Sequence, residues 1–95
     1  METATLPADA RPRLSPHYVF RWEESQSAFI LLYPEGLIKL NASAGAILAR
    51  CDGARTLATI IAELQASYPA QGAEIADGVR AFVDLACDKG WLRAA

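Results

Sequence analysis

The apolar positions change their period once along the chain. From Tyr18 to Glu23 they alternate, with Tyr18, Phe20 and Trp22 on one face and Val19, Arg21 and Glu23 on the other, as a half-buried strand requires. Glu24 to Ser27 is a polar turn, and Ala28 to Tyr33 is a nearly unbroken apolar run of strand length. Tyr33-Pro34-Glu35-Gly36 then places Pro where a type I turn wants a fixed negative φ, and Gly where a three-residue hairpin needs a positive one. Leu37 to Leu40 follows as a short third strand. This half of the chain predicts a three-stranded antiparallel meander whose outer strands each keep an unpaired backbone edge.

After Leu40 the period becomes 3.6. Asn41 is a good N-cap, and Ala44, Ile47, Leu48 and Cys51 share one helical face before Asp52-Gly53 ends the turn. Thr56 caps a second helix in which Leu57, Ile60, Ile61, Leu64 and Tyr68 recur at amphipathic spacing until Pro69 stops it. A third helix runs from about Ala73 to Lys89, with Ile75, Val79, Phe82, Val83 and Ala86 inward, Gly90 as its C-terminal cap, and Trp91 and Leu92 packing its end. Residues 1–16 hold Pro7, Pro12 and Pro16 without periodicity and read as a flexible or extended arm. Residues 17–93 form a single domain. The class is α+β, a winged-helix-like arrangement of a three-stranded antiparallel meander followed by three α-helices.

Composition sets the scale of the core. The chain has 95 residues, 53% of them apolar, but nineteen are Ala, so the large apolar side chains make only a modest core. The net charge is −2, carried by residues 51–95, whereas a general nucleic-acid binder should show a basic surplus. No uncharged run is long enough to span a bilayer, and Met1 to Arg13 lacks a basic patch followed by an apolar stretch, so neither a membrane anchor nor a secretory signal is expected and the location is cytoplasmic. Cys51 and Cys87 match no CxxC spacing and read as small core residues.

The inventory for chemistry is thin. One His and two separated Cys cannot supply a zinc site, so no metal and no cofactor of its own are expected. Ser15 and His17 sit in a Pro-rich arm that cannot hold a nucleophile in supported geometry, and Ser43 reads as a capping residue. Glu23 and Glu24 flank a turn and point apart, while Glu74, Asp77, Asp84 and Asp88 interleave with Arg80 and Lys89 as a solvated helix face. No catalytic residue is assigned, and the protein is not expected to be an enzyme.

Two binding readings remain from the residues alone. A winged-helix DNA-binding regulator would place its last helix in the major groove, but that helix carries four acidic and two basic residues, which phosphates would repel. The competing reading uses the edge of Leu37-Ile38-Lys39-Leu40, where an extended peptide could add a strand beside a helix. That edge could equally be covered by the chain's own helix or by a second copy, since two free edges permit a homodimer.

An ordered set of short stretches resembles a known family. Leu31-Leu32-Tyr33-Pro34-Glu35-Gly36, Leu40-Asn41 with Ala44 and Ile47-Leu48, Asp52-Gly53 with Thr56 and Ile60, and Val79, Phe82 and Gly90-Trp91-Leu92 are similar to the pyrroloquinoline quinone (PQQ) biosynthesis protein D family, PqqD, from about Arg11 to Leu92. The resemblance implies a cytoplasmic peptide chaperone, a precursor-recognition element for ribosomally made, modified peptides. Such a protein binds the precursor peptide of the PQQ pathway and presents it to a radical SAM enzyme that cross-links a Glu to a Tyr. Mapped onto this chain, the implied peptide site lies between Leu37, Ile38, Lys39 and Leu40 on the third strand and Ala76, Val79, Arg80 and Val83 on the third helix, with Lys39 and Arg80 supplying charge. Pro34, Glu35, Gly36 and Asp52-Gly53 are read as structural. The chain departs from the family pattern at Ala86, where a large apolar side chain is expected and Leu85 stands one position earlier, about 100° round the helix.

Overall fold

The computed structural model describes residues 6–94. In chain order the elements are β1 (Pro12–Leu14), β2 (Val19–Glu23), β3 (Ala28–Tyr33), β4 (Gly36–Lys39), α1 (Ala42–Leu48), α2 (Leu57–Ser67), α3 (Gly72–Asp88) and β5 (Leu92–Ala94), with short 3-10 turns at Glu24–Gln26 and Pro69–Gln71. The α+β arrangement, the meander and the three helices stand as the periodicity predicts. A second, two-stranded sheet of β1 and β5 was not predicted.

The meander has the order β2-β3-β4, with Phe20 opposite Leu31 and Leu31 opposite Ile38. This register places Phe20, Trp22, Phe29, Leu31 and Ile38 on the face turned to the helices. Phe29 stacks on Phe20 at 4.9 Å and meets the edge of Trp22 at 5.1 Å. Tyr33 pairs directly with Gly36, so the β3–β4 turn has two central residues, Pro34 and Glu35, rather than three. Gly36, at a φ of 159°, is close to extended.

The helix starts follow their caps. The Asn41 side chain accepts from the Ala44 N–H at 2.7 Å, and Thr56 Oγ1 accepts from the Thr59 N–H at 3.1 Å. Leu31, Leu57, Ile60 and Val83 lie at the centre of the core, fully or almost fully buried. Ala86 is also fully buried there, so the departure from the family pattern falls in the core. Tyr68 does not continue the buried stripe of α2. Because Pro69 disfavours the α region for the residue before it, Tyr68 takes φ −135° and ψ 67° and its side chain is 57% exposed.

The segment expected as an arm is extended but tied down; residues 1–5 lie outside the described residues. The carbonyls of Ala8 and Ala10 accept from the Ala58 and Leu57 N–H groups, occupying two first-turn donors of α2 at 2.9 and 2.8 Å. Pro12 is fully buried, its carbonyl accepts from the Gly53 N–H, and β1 pairs with β5 from Pro12 opposite Ala94 to Leu14 opposite Leu92. Pro16 and His17 then make a turn closed by Tyr18 N–H to the Ser15 carbonyl at 3.3 Å, with exposed His17 at a φ of 72°.

Candidate functional site

An open groove of about 820 Å³ runs between α1 and α3 and reaches the end of α2. Its α1 wall is low, built from Ala42, Ser43, Ala44 and Ala46. Its α3 wall carries Ile75, Gly78, Phe82 and Leu85, while Tyr68 and Gln71 stand at the α2 end. Among the described residues, Glu74 is the single charged side chain lining it. Leu85 is 47% exposed, far more than an apolar side chain of that size needs to be in a sealed core.

The groove begins where β4 ends, with Asn41 and Ala42 following Leu40 directly in the chain. Among the described residues β4 is an edge strand. The Leu40 N–H bonds the Phe29 carbonyl at 2.9 Å, and Ile38 faces Leu31. Backbone direction alternates along an antiparallel strand, so the N–H and C=O of Leu37 and Lys39 point to the open edge. These groups can receive an added strand.

The expected site residues divide between these features and the core. Leu37 is 58% exposed, Lys39 is exposed and Ile38 is half-buried, but Leu40 is 7% exposed and belongs to the core. On α3, Val79 alone of the expected four lines the groove, as part of its floor. Val83 is fully buried, Ala76 packs against the core, and Arg80 is exposed away from the groove lining. The apolar arc of α3 is wide enough to serve two neighbours. Val83 and Ala86 meet the core alone, Gly78 and Leu85 meet the groove alone, and Ile75, Val79 and Phe82, between them round the helix, meet both. Of the other α3 residues lining the groove, Ile75 and Phe82 were expected only in the core and Gly78 and Leu85 in neither place; the signal is a glycine in mid-helix with an apolar residue seven positions on, out of step with the core.

The wall formed by α1 is held by a charged network at its C-terminal end. Glu63 on α2 accepts from Arg50 at 3.1 Å and from Arg55 at 3.0 Å, and Arg55 also pairs with Asp52 at 2.6 Å. The Asp52 carboxylate accepts the backbone N–H groups of Arg55 and Ala54, both at 2.9 Å, which hold its pKa below the usual carboxylate value. Hydrogen bonding to Glu63, with the Coulombic pull of the same carboxylate, raises that of Arg55. This network explains Asp52-Gly53 structurally: it fixes the turn between α1 and α2.

Comparison with known proteins agrees with this architecture. Residues 28–92 match the family model described as Coenzyme PQQ synthesis protein D (PqqD). The chain is 45% identical over 82 residues to the PqqA binding protein of Stutzerimonas stutzeri, covering 85% of this chain and 87% of that one. It is 42% identical over 89 residues to the PqqA binding protein of Methylococcus capsulatus, covering 94% of each. Its fold is similar to the solution NMR structure of the PqqD truncation of Methylobacterium extorquens PqqCD, described as a functional and stand-alone RiPP recognition element. The TM-score is 0.77 at 30% identity, over 96% of each chain. A family match over more than half of the chain, relatives above 40% identity and a shared fold together establish that this chain belongs to the PqqD family.

Proposed function

We propose that this protein is a peptide-binding adaptor that takes up the ribosomally made precursor peptide of PQQ biosynthesis and presents it to the radical SAM enzyme that cross-links its Glu and Tyr. The supporting observation is the junction of an open strand edge with an apolar groove. The peptide would pair with the outward backbone groups of Leu37 and Lys39 and then set its apolar side chains between α1 and α3. The names of the relatives support the same ligand, since those proteins are PqqA binding proteins. In this reading the adaptor is not an enzyme, works in the cytoplasm, and leaves the iron–sulfur chemistry to its partner.

The site residues proposed here keep Leu37, Ile38, Lys39 and Val79 and move the remaining helix contacts to Ile75, Gly78, Phe82 and Leu85. Pairing of two copies through β4 would compete with the peptide for the same backbone edge. The exposed acidic residues Glu74, Asp77 and Asp88 on α3 make a DNA-reading helix the poorer use of this fold.

Isothermal titration with a synthetic precursor peptide tests the reading. Saturable binding is expected, with backbone NMR shifts concentrated at Leu37, Lys39 and the groove. An absence of saturable heat up to about 100 μM peptide would sink it. A duplex DNA titration at low salt should show no binding.

A further inference from the structure

The α3 wall contains a hole without a knob. Ile75, Gly78, Val79 and Phe82 stand at i, i+3, i+4 and i+7, the four-residue set that receives one side chain from a neighbour in knobs-into-holes packing. Gly78 forms the open corner. Among the described residues, a β-carbon placed on it would meet no atom within 4 Å outside its own turn of helix, so no contact there requires a glycine. Glycine is nonetheless the poorest helix former apart from proline, and Gly78 lies well inside a helix of 17 residues. By contrast, Gly45 has an evident internal reason, because a β-carbon there would collide with Phe29. The space over Gly78 is open on the side facing the groove.

Charge narrows the occupant. Glu74 is the only charged lining residue among those described and lies four residues, one turn or about 6 Å, before Gly78 on the same helix. In an extended peptide, two side chains on one face are separated by nearly the same distance, about 6.8 Å for residues i and i+2. Resting on the adaptor reading above, we propose that Gly78 is the specificity-determining position of the groove. It admits one large apolar side chain of the bound peptide into the hole of Ile75, Gly78, Val79 and Phe82, while a Lys or Arg two residues away in the peptide, in either direction, meets Glu74.

The test compares Gly78→Ala, Gly78→Leu and Glu74→Gln with wild type, using a synthetic PqqA precursor peptide as the probe. Gly78→Ala should raise the melting temperature by about 3–8 °C, because it restores helix propensity without meeting a neighbour. The same change should weaken peptide binding about 5-fold. Gly78→Leu, which fills the hole, should weaken binding at least about 20-fold, and Gly78→Ala supplies the answer should the Leu variant fold poorly. Truncating each large apolar residue of the peptide to Ala should identify one whose loss weakens wild type but adds little to the Gly78→Leu defect, the signature of a coupled pair. Glu74→Gln should weaken binding about 2- to 5-fold, and this effect should vanish with a peptide whose matching basic residue is neutral.

Wild-type binding together with unchanged affinity in both folded Gly78 variants overturns the inference and leaves the adaptor reading standing. A Glu74→Gln effect that persists on the neutral peptide overturns the basic-residue assignment. If wild type itself does not bind the precursor peptide, the adaptor reading fails and the inference falls with it.

Discussion

A β-carbon placed on Gly45 would lie 2.5 Å from Cδ2 of Phe29, so α1 rests its backbone directly on the ring that organises the aromatic face of the meander. This contact fixes the distance between the sheet and the helix that follows β4. It thereby sets one wall of the groove.

Gly45→Ala should therefore destabilise the protein by about 1–3 kcal/mol, the usual range for inserting a carbon into a filled core. A lower urea midpoint at an unchanged m-value is the expected result. The identical substitution at Gly78 is expected to have the opposite sign. Glycine content alone would not distinguish the two positions. Wild-type stability in Gly45→Ala would mean that the ring of Phe29 moves aside and that the helix-to-sheet spacing is not set there.

The two cysteines should behave differently from ordinary thiols and from each other. Burial first, then the neighbouring Cys87 and Asp52, pushes the Cys51 thiol from 9.0 up to about 12, and its Sγ–H donates to the Ile47 carbonyl at 3.3 Å. Burial also raises Cys87, though that side chain is only partly buried. A folded-state pKa above the unfolded value means that the stabilisation is fully present below pH 9. It is then lost as pH rises towards 12, by about 1.4 kcal/mol per pH unit, because the unfolded chain has released a proton that the folded chain keeps. Urea unfolding at pH 8 and pH 10.5 should show a steeper loss for wild type than for Cys51→Ala. A thiol reagent at pH 8 should modify Cys87 first. Parallel pH profiles for the two proteins would remove Cys51 as the source.

What was legible in the sequence was what is local. Asn41 and Thr56 announce their helices by their own side-chain hydrogen bonds, and the alternation from Tyr18 onward gives the face that Phe20 and Trp22 share against Phe29. The ribbon of β1 and β5 was not legible, because three-residue strands carry almost no periodicity and Pro12 pairs with Ala94 from the far end of the chain. An open strand edge was readable, since any meander has one. The helix wall of the groove was not. Ile75 and Phe82 look like core residues by spacing, and only the position of α1 divides the apolar arc of α3 into a core flank and a groove flank. Hence Val83 and Ala76, chosen from the same stripe, belong with the core.

The N-terminal segment should behave as part of the domain rather than as a tail. Residues 7–14 occupy two first-turn donors of α2, bury Pro12 and hold β5 in place beside Trp91. Deleting residues 1–14 removes several such hydrogen bonds, at about 0.5–1.5 kcal/mol each, together with the apolar surface of Pro12 and Leu14. A loss of about 3–5 kcal/mol is expected, a large part of the stability of a domain this size. Stability equal to that of wild type, measured by urea unfolding, would refute the bracing role.

The β4 edge can be tested with proline, which removes one backbone donor at a time. The Lys39 N–H points away from β3, so Lys39→Pro leaves the β3–β4 ladder intact but takes a donor from an incoming strand. The Ile38 N–H points into that ladder, so Ile38→Pro should disrupt the sheet itself. The expected pattern is a near-normal melting temperature with peptide affinity reduced about 10-fold or more for Lys39→Pro, and a marked loss of stability for Ile38→Pro. Lys39→Ala separates backbone from side chain: if the peptide pairs as a strand, this variant keeps most of the affinity that the proline variant loses. Equal losses in both would assign the effect to the ammonium group of Lys39. No loss in either would mean that the peptide enters the groove without using the strand edge, and that the alignment of Leu37 and Lys39 serves another purpose.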